Sequence, residues 1–433
     1  EKQNPSPPEL TGHAVLVPWG MFAQQIGLVE ALMRVPIPQK RREHLPQTKL
    51  IEFLVATLSG CAYLQDISRS AHPLDQDQAV ARAWGQKKWA DYSGVSRTMQ
   101  ASDEETVAAV QETLETASRP FIDREVVLAL RDRGVVIYDG DLTGRPVSST
   151  STTYPGVAFG WMSDAVRLGY QAALVSLHSP TYGRLWLSVK QHPGDTVSVT
   201  QAGALVRAAE SRTGVRPWRR TDLLSGRIIQ HRTRLQVAEA KLTRAQERLA
   251  QAQQCLTQVE QECQAWAQQV AELETQYQAR NRPERPHSHL AKARRTLTVR
   301  ERRLGRRQQE LARAERWLVR CQQKVVIRQA ELRTLEERLE QFTTDNQTNP
   351  WPVRVIFRLD AGFGSGANVA LLIEMGYDLY CKAKNHQVLK SLRQRVSPTS
   401  SWTRVGQNAE MVAWQDQQIT NLSLIHISEP TRL

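Results

Sequence analysis

The chain has 433 residues, 40% of them hydrophobic, which is enough for two or three units with apolar cores. Its formal charge of +13 and pI near 9.7 favour a polyanionic partner, although ribosomal and membrane-surface proteins share this balance. Five cysteines without C-x-x-C spacing argue against a disulfide framework and a zinc site. With no apolar run of about eighteen residues and no leader, we expect a cytoplasmic protein that does not enter a membrane.

The first 130 residues are predicted to be mostly helical, because apolar residues recur there at helical spacing. Two such series are Phe22, Ile26, Val29, Met33 and Ile51, Leu54, Leu58, Cys61. Prolines at 36, 38 and 46 separate them. A further helix is predicted from Asp75, then a turn over 93–98, then a helix opening at Ser102 with Glu105 completing a capping box.

This region has two interpretations. One is a helix-turn-helix that binds DNA, with Lys87, Lys88 and Arg97 facing phosphate. The other is a plain helical packing domain whose lysines and arginines are solvated. The sequence leaves both open.

An apolar strand pattern over residues 135–141 ends in two carboxylates, Asp139 and Asp141. Side chains alternate along a strand, so both point to the same side. Further strands are predicted over 171–177 and 184–190, with a helix over 199–211. An Asp that ends a buried strand is often only a turn former or helix cap.

Two heptad series follow, separated by the proline-rich segment 282–286. The first runs through Ile228, Leu235, Leu242, Leu249, Leu256, Cys263, Val270 and Tyr277, and the second through Leu290, Leu297, Leu304, Leu311, Leu318, Val325, Leu332 and Leu339. A strict seven-residue period predicts a coiled coil, here an antiparallel hairpin whose arms of about fifty residues would each extend roughly 75 Å.

The second arm places Arg300, Arg307 and Arg328 at seam positions, where charges weaken pairing unless they snorkel or meet Glu. The hairpin is either a basic rod that binds DNA or a second protomer, or a solvated helical surface around one apolar seam. Tethering or homodimer formation is its expected use. As an insertion whose ends return close together, it need not disturb the surrounding core.

A second apolar strand pattern, over 353–360, ends in Asp360. Acids at two adjacent strand ends suit a two-metal phosphoryl-transfer site, since Mg²⁺ prefers carboxylates and phosphate oxygens. The glycines at 362, 364 and 366 match no nucleotide-binding fingerprint, so we interpret them as a turn into a helix over 368–375.

These motifs resemble those of bacterial insertion-sequence DDE transposases. Residues 139–143 (D-G-D-L-T) resemble the D-x-D-x-T motif of that family, and 358–363 (R-L-D-A-G-F) its R-x-D-S-G-F motif. Between them, 192–196 (H-P-G-D-T) is similar to a P-G-N-T turn, and 380–384 (Y-C-K-A-K) to a strand ending in a basic residue. The four matches occur in order and cover roughly residues 130–225 and 350–421. Ala361 stands where Ser is usual, a small-for-small change that we expect to be tolerated.

The resemblance implies an α/β fold with a ribonuclease H-like catalytic domain that carries the coiled-coil hairpin as an insertion. It implies a nucleoid-associated DNA transposase that cleaves transposon ends with Mg²⁺ or Mn²⁺ and joins them to target DNA. Asp141 and Asp360 would be catalytic metal ligands, with Asp139 as neighbour or further ligand, and Lys382 and Lys384 would contact double-stranded DNA. A nuclease without strand transfer and a non-enzymatic coiled-coil DNA-binding scaffold are the alternatives.

The stretch from Leu422 to Arg432 looks like a translated sequencing-library adapter. In the resembling family a strand ending in T-N-L, as at 420–422, precedes the helix that carries the third acid. We therefore expect this chain to lack that acid and to be inactive. Glu410 and Asp416 lie in strand-like or turn-like sequence and are interpreted as structural.

The sequence thus predicts five segments. They are a helical N-terminal region (1–130), a first catalytic part (131–226), the hairpin (227–342), a second catalytic part (343–421) and the adapter-like tail (422–433).

Overall fold

A computed structural model describes residues 10–40, 43–148, 154–280, 285–381, 394, 401–404, 407, 410–417 and 425–432, the last two ranges by their backbone, apart from Glu410. The protein is α/β, with helices and a mixed sheet. It divides into two compact units. One comprises residues 1–138, 174–190 and 206–214, and the other 139–173, 191–205 and 215–433. Within the described ranges, no helix is long and apolar enough to span a membrane.

The N-terminal residues form helices, as the sequence predicts. These are α1 (Leu16–Gln25), α2 (Leu28–Leu32), α3 (Pro46–Leu58), α4 (Asp66–Arg69), α5 (Gln78–Ala83), α6 (Tyr92–Ala101) and α7 (Glu104–Arg133). Their shared core includes Leu32, Ile51, Val55, Ile67, Trp84 and Trp89.

Local details of this region differ from the prediction. The first helical series is broken at Gly27, which has a φ of +75° and separates α1 from α2. The turn predicted over 93–98 lies inside α6, because Asp91 caps that helix by accepting from the Gly94 amide. Helix α7 begins at Glu104, two residues after the predicted Ser102, because Asp103 accepts from the Thr106 amide. The predicted helix-turn-helix spacing is therefore wrong.

The main sheet contains six strands with the order β2-β3-β1-β5-β6, and β4 pairs with β3. The strands are β1 (Val135–Pro146), β2 (Ala158–Met162), β3 (Ala165–Ser179), β4 (Gly183–Pro193), β5 (Arg354–Leu359) and β6 (Asp378–Cys381). Strands β2 and β3 are antiparallel, whereas β5 and β6 are parallel. Helix α8 (Ala202–Thr213) follows β4, and α11 (Gly366–Glu374) lies between β5 and β6. Thus the two strands that carry the predicted acids are neighbours.

Two helices of 59 residues each, α9 (Thr221–Ala279) and α10 (His289–Gln347), separate the two acid-bearing strands in sequence. They pack antiparallel, because ion-pair partners descend along α10 as they ascend along α9. Arg232 pairs with Glu336 at 2.6 Å, and Glu274 with Arg294 at 2.7 Å. Both helices extend beyond the predicted range of 227–342.

The heptad positions form the seam between α9 and α10, and all of them are buried or half-buried. The three seam arginines are half-buried and each meets a glutamate. Arg300 reaches Glu262 of the opposite helix, whereas Arg307 and Arg328 pair with Glu310 and Glu331 of their own helix. The charges at the seam are therefore compensated.

The base of the helix pair is held by buried polar contacts. Arg219 is only 1% exposed, and its Nε donates to Asp345 at 2.8 Å while Nη1 donates to the Met375 carbonyl at 3.0 Å. The side chain of Asn346 bonds both the amide and the carbonyl of Arg219. Nearby, the buried carboxylate of Glu374 pairs with Arg227. These contacts form a junction that ties the base of the helix pair to the end of α11.

A second sheet contains β7 (Thr403–Arg404), β8 (Glu410–Gln417) and β9 (Ile425–Arg432) in that order, paired antiparallel. Glu410 and Asp416 lie in β8, in agreement with strand-like sequence. The adapter-like tail supplies β9. Backbone pairing does not distinguish a native tail from a translated adapter, so that interpretation remains a prediction.

Candidate active site

Asp139, Asp141, Arg358 and Asp360 lie on one face of the sheet. Along β1, Val136, Tyr138 and Gly140 are buried, and along β5, Val355, Phe357 and Leu359 are buried. A Cβ added at Gly140 would lie 2.6 Å from Leu359 and 2.7 Å from Phe357, so these buried faces are the same face. The alternate residues therefore share the opposite face, and glycine at 140 leaves room for the side chains of Leu359 and Phe357 on the buried face.

The carboxylate of Asp139 forms an ion pair with an arginine. The Nε and Nη2 atoms of Arg358 donate to its two carboxylate oxygens at 2.6 and 2.7 Å. This two-bond geometry is the strongest common form of a carboxylate ion pair, and Asp139 is only 21% exposed. Both oxygens are already engaged, which makes Asp139 a poor candidate for a metal ligand.

Asp141 lies two residues further along the same face and is exposed. Its Oδ1 accepts from the Leu142 amide and its Oδ2 from the Thr143 hydroxyl, both at 2.8 Å. These local bonds orient the carboxylate without neutralising it, since neither donor is a cation. The threonine of the D-x-D-x-T-like motif thus has a positioning contact.

Asp360 is exposed at the end of β5 and begins a short 3-10 turn, Ala361–Phe363. Its Oδ1 accepts from the Gly362 amide at 3.0 Å. Phe363 is 1% exposed and anchors the turn in the core. A Cβ at Gly362 would lie 2.6 Å from the Ser198 hydroxyl, so glycine lets the turn Ser198–Thr200 pack closely there.

The two remaining motif segments lie near the turn that Asp360 begins. The described end of the 380–384 segment contacts Asp360, and the 192–196 segment leads into the turn Ser198–Thr200. The Cys381 thiol, at the end of β6, donates to the Asp360 carbonyl at 3.2 Å. Burial raises the pKa of this thiol to about 11, and the charge of Asp360 adds to the effect. The turn at 192–196 precedes Ser198, and its Gly194 packs on the backbone of Ala158 and Gly169. The described residues of all four motif segments therefore belong to one unit.

The donor set fits a divalent cation of the magnesium type. Asp141 and Asp360 are exposed carboxylates on one face, and Mg²⁺ commonly uses one or two carboxylates, keeping its other positions for water and substrate phosphate. Among the described residues, no three His, Cys, Asp or Glu side chains group to hold a metal ion. The described residues therefore offer two candidate ligands for such a cation, Asp141 and Asp360.

The other predicted DNA-binding residues are distributed differently. Lys87 and Lys88 are exposed in the segment between α5 and α6, and Arg97 is exposed on α6. Lys88 lies 3.4 Å from Glu43, a surface pair that contributes little to stability. Lys382 and Lys384 lie outside the described residues.

The sequence analysis missed the Arg358 to Asp139 pair and the contact of Ser198. The signal for the first was present, because Arg358 precedes Asp360 by two residues just as Asp139 precedes Asp141. Two adjacent strands then place an arginine beside an aspartate on one face. Ser198 had no signal in the sequence, since its position depends on the packing of two turns.

Comparisons with protein families, with curated proteins and with solved structures found no match to this chain.

Proposed function

We propose that this protein is a DNA transposase of the DDE type, with a ribonuclease H-like catalytic region interrupted by a coiled-coil hairpin. The observation that carries the proposal is the placement of Asp141 and Asp360 on the same face of neighbouring strands, more than two hundred residues apart in sequence. The resemblance of the motifs to those transposases names the chemistry. Double-stranded DNA, at transposon ends and target, is the proposed substrate.

In this proposal each polar residue of the site has a distinct task. Asp141 and Asp360 would hold Mg²⁺ or Mn²⁺, which when bound would supply Lewis-acid activation of water and stabilise charge on phosphate oxygens. Thr143 and the Leu142 amide fix the Asp141 carboxylate, and the Gly362 amide fixes that of Asp360. Arg358 holds Asp139 through two hydrogen bonds and keeps that carboxylate from competing for the metal. The side chains are thus oriented before substrate arrives.

The deciding measurement is Mn²⁺ binding, followed by the electron paramagnetic resonance of the free ion. Asp141→Asn and Asp360→Asn should each weaken binding by more than about tenfold, because each removes one of two anionic ligands. Asp164→Asn is the matched control, since Asp164 is an exposed aspartate of the same unit that pairs with Arg167. Equal binding by the control and both site variants would contradict the proposal.

Catalysis is tested with the protein encoded by the intact genomic reading frame, on duplexes that carry the transposon ends. Cleavage should need Mg²⁺ or Mn²⁺ and should be lost in Asp141→Asn and Asp360→Asn while duplex binding persists. Cleavage without joining to target DNA would assign a nuclease. Duplex binding with no metal dependence would assign a scaffold.

A further inference from the structure

The helices α9 and α10 carry different chemistry on the faces turned away from their seam. Outer positions lie two or five residues after a seam residue. In α10 six of these positions are arginine, and all are exposed: Arg295, Arg302, Arg306, Arg313, Arg316 and Arg320. We call them the arginine stripe. In α9 the equivalent positions from 247 to 268 are mostly glutamine: Glu247, Gln251, Gln254, Gln258, Gln261, Ala265 and Gln268.

The stripe is not neutralised by the protein. Its neighbours Arg294, Arg300 and Arg303 pair with glutamates of α9. The six stripe arginines make no ion pair with any described residue, and only Arg316 has a hydrogen bond, from its Nε to the Ala312 carbonyl of its own helix. The glutamates of α9 that reach α10 thus pair with these neighbours, and the six stripe arginines keep their charge.

This arrangement costs helix stability. Arg302 and Arg306 are four residues apart, as are Arg316 and Arg320, and like charges at that spacing repel across one helical turn. A solvated face would normally mix both signs. A one-sided row of cations is stabilised when an external polyanion lies along it.

We propose that the arginine stripe binds the phosphate backbone of double-stranded DNA. From Arg295 to Arg320 the helix rises about 38 Å at 1.5 Å per residue, close to one turn of B-form DNA at about 34–36 Å. Duplex DNA carries one charge per about 1.7 Å of its axis, so a row of guanidinium groups lying along the duplex is attracted by several phosphates at once. The contacts are to phosphate and therefore independent of base sequence. That DNA is the available polyanion rests on the proposed function.

The test compares two triple variants of the full chain that remove equal charge from the same helix pair. Arg302→Gln, Arg306→Gln and Arg313→Gln alter the stripe. Arg234→Gln, Lys241→Gln and Arg244→Gln remove three exposed cations from α9 as the control. Binding to a labelled duplex of about 30 base pairs, near three helical turns, is followed by fluorescence anisotropy in EDTA across a series of NaCl concentrations. Glutamine favours helix, so both variants should keep the helical circular dichroism of the parent.

The stripe variant should lose at least about tenfold in affinity at low salt, and its salt slope should fall by about 2.7, near 0.9 for each phosphate contact removed. The control should keep most of its slope. Equal losses in the two variants would overturn the proposal, as would an unchanged slope in the stripe variant. A stripe variant that changes sedimentation but not duplex binding would assign the face to a second copy of the chain and equally overturn it.

This experiment separates the stripe from the catalytic proposal. Because EDTA removes divalent ions, duplex binding under these conditions tests the stripe and not the metal site, and Asp164→Asn should bind duplex like the parent. Loss of the stripe effect with intact Mn²⁺ binding would reject this inference alone. Intact stripe binding with no Mn²⁺ site would reject the proposed function alone.

Discussion

Asp139 and Asp141 are chemically identical, share one strand face and differ in what engages them. Asp139 meets the guanidinium of Arg358 through two bonds, whereas Asp141 meets an amide and a hydroxyl. A cation next to a carboxylate compensates its charge, and neutral donors leave that charge available. The Asp139 carboxylate is therefore compensated by its partner, whereas the Asp141 carboxylate has no cationic partner among the described residues.

Substituting Asp139 should affect stability more than metal binding. Asp139→Asn loses one charge-assisted pair, and we expect the free energy of unfolding to fall by about 1–3 kcal/mol with Mn²⁺ affinity nearly kept. Urea denaturation and Mn²⁺ titration measure the two effects. In the double variant with Arg358→Gln, the losses should be less than additive because both substitutions remove the same pair. A Mn²⁺ site destroyed by Asp139→Asn alone would show that Asp139 is a ligand.

Glu52 is a buried carboxyl group in the N-terminal unit. It is fully buried in α3, and its Oε2 accepts from the Ala90 amide at 2.8 Å. Burial raises the pKa of Glu52 from 4.5 to about 8; the Ala90 bond and Lys49 oppose the shift, and the charges of Asp75 and Asp91 add to it. The folded protein therefore holds a proton there at neutral pH.

The stability of this unit should fall as pH rises. Between pH 4.5 and about 8 the unfolded chain has released the Glu52 proton while the folded chain keeps it, so the free energy of unfolding decreases across that window. Glu52→Gln removes the ionisation, and it should stabilise the protein relative to the parent at pH 8 but hardly at pH 5. Thermal unfolding at both pH values tests this. An equal effect of the substitution at the two pH values would exclude titration of Glu52 as the cause.

At the scale of elements, a strong periodicity was sufficient for prediction and a weak one was not. The heptads located both long helices, because sixteen seam positions repeat one pattern. The segment 93–98 was predicted as the turn of a helix-turn-helix, yet Asp91 starts a helix there. A single capping contact decides such a short segment, and that contact depends on three-dimensional packing.

The candidate site also combines features that local sequence predicts with features that depend on three-dimensional packing. Asp141 and Asp360 were found from strand patterns and motifs, since each ends an apolar strand. Their common face required the sheet order and the close approach at Gly140, which no local pattern contains. The pairing of Asp139 with Arg358 joins residues 219 positions apart and is likewise a property of the sheet.

The helix pair should respond sharply to a proline at the seam. Leu256→Pro removes a backbone donor in the middle of α9 and clashes with the preceding turn, so we expect a loss of about 3 kcal/mol or more and a lower melting temperature. Circular dichroism of residues 221–347 expressed alone, which should be strongly helical, measures the change. Leu256→Ala is the control, because it shortens the same side chain and keeps the backbone bond. Indistinguishable melting of the two variants would contradict a continuous helix through this position.

At the scale of the whole molecule, the helix pair should tolerate shortening from its tip but not removal at its base. Replacing residues 243–322 with a short turn deletes distal layers that contact only their neighbours, and the sheet should stay folded. Replacing 221–347 removes Asp345 and Asn346 from Arg219, and Arg227 and Arg338 from Glu374. Breaking paired buried charges costs about 3–5 kcal/mol.

Thermal unfolding followed by tryptophan fluorescence compares the two deletions with the parent. The shorter deletion should also keep the Mn²⁺ affinity of the parent, since it leaves Asp141, Asp360 and the junction intact. Equal melting temperatures for the two deletions would mean that the base contacts contribute nothing to the fold.

The junction at Arg219 also has a mechanical consequence. Each long helix rises about 88 Å at 1.5 Å per residue, so a load near the tip acts through a long lever arm. The base of the helix pair is held by the carbonyl of Met375 and the carboxylate of Glu374. Both lie at the end of α11, the helix that follows Asp360. A load on the helix pair would therefore act first on the end of α11. A cargo held far from the sheet would therefore load the helix that follows Asp360.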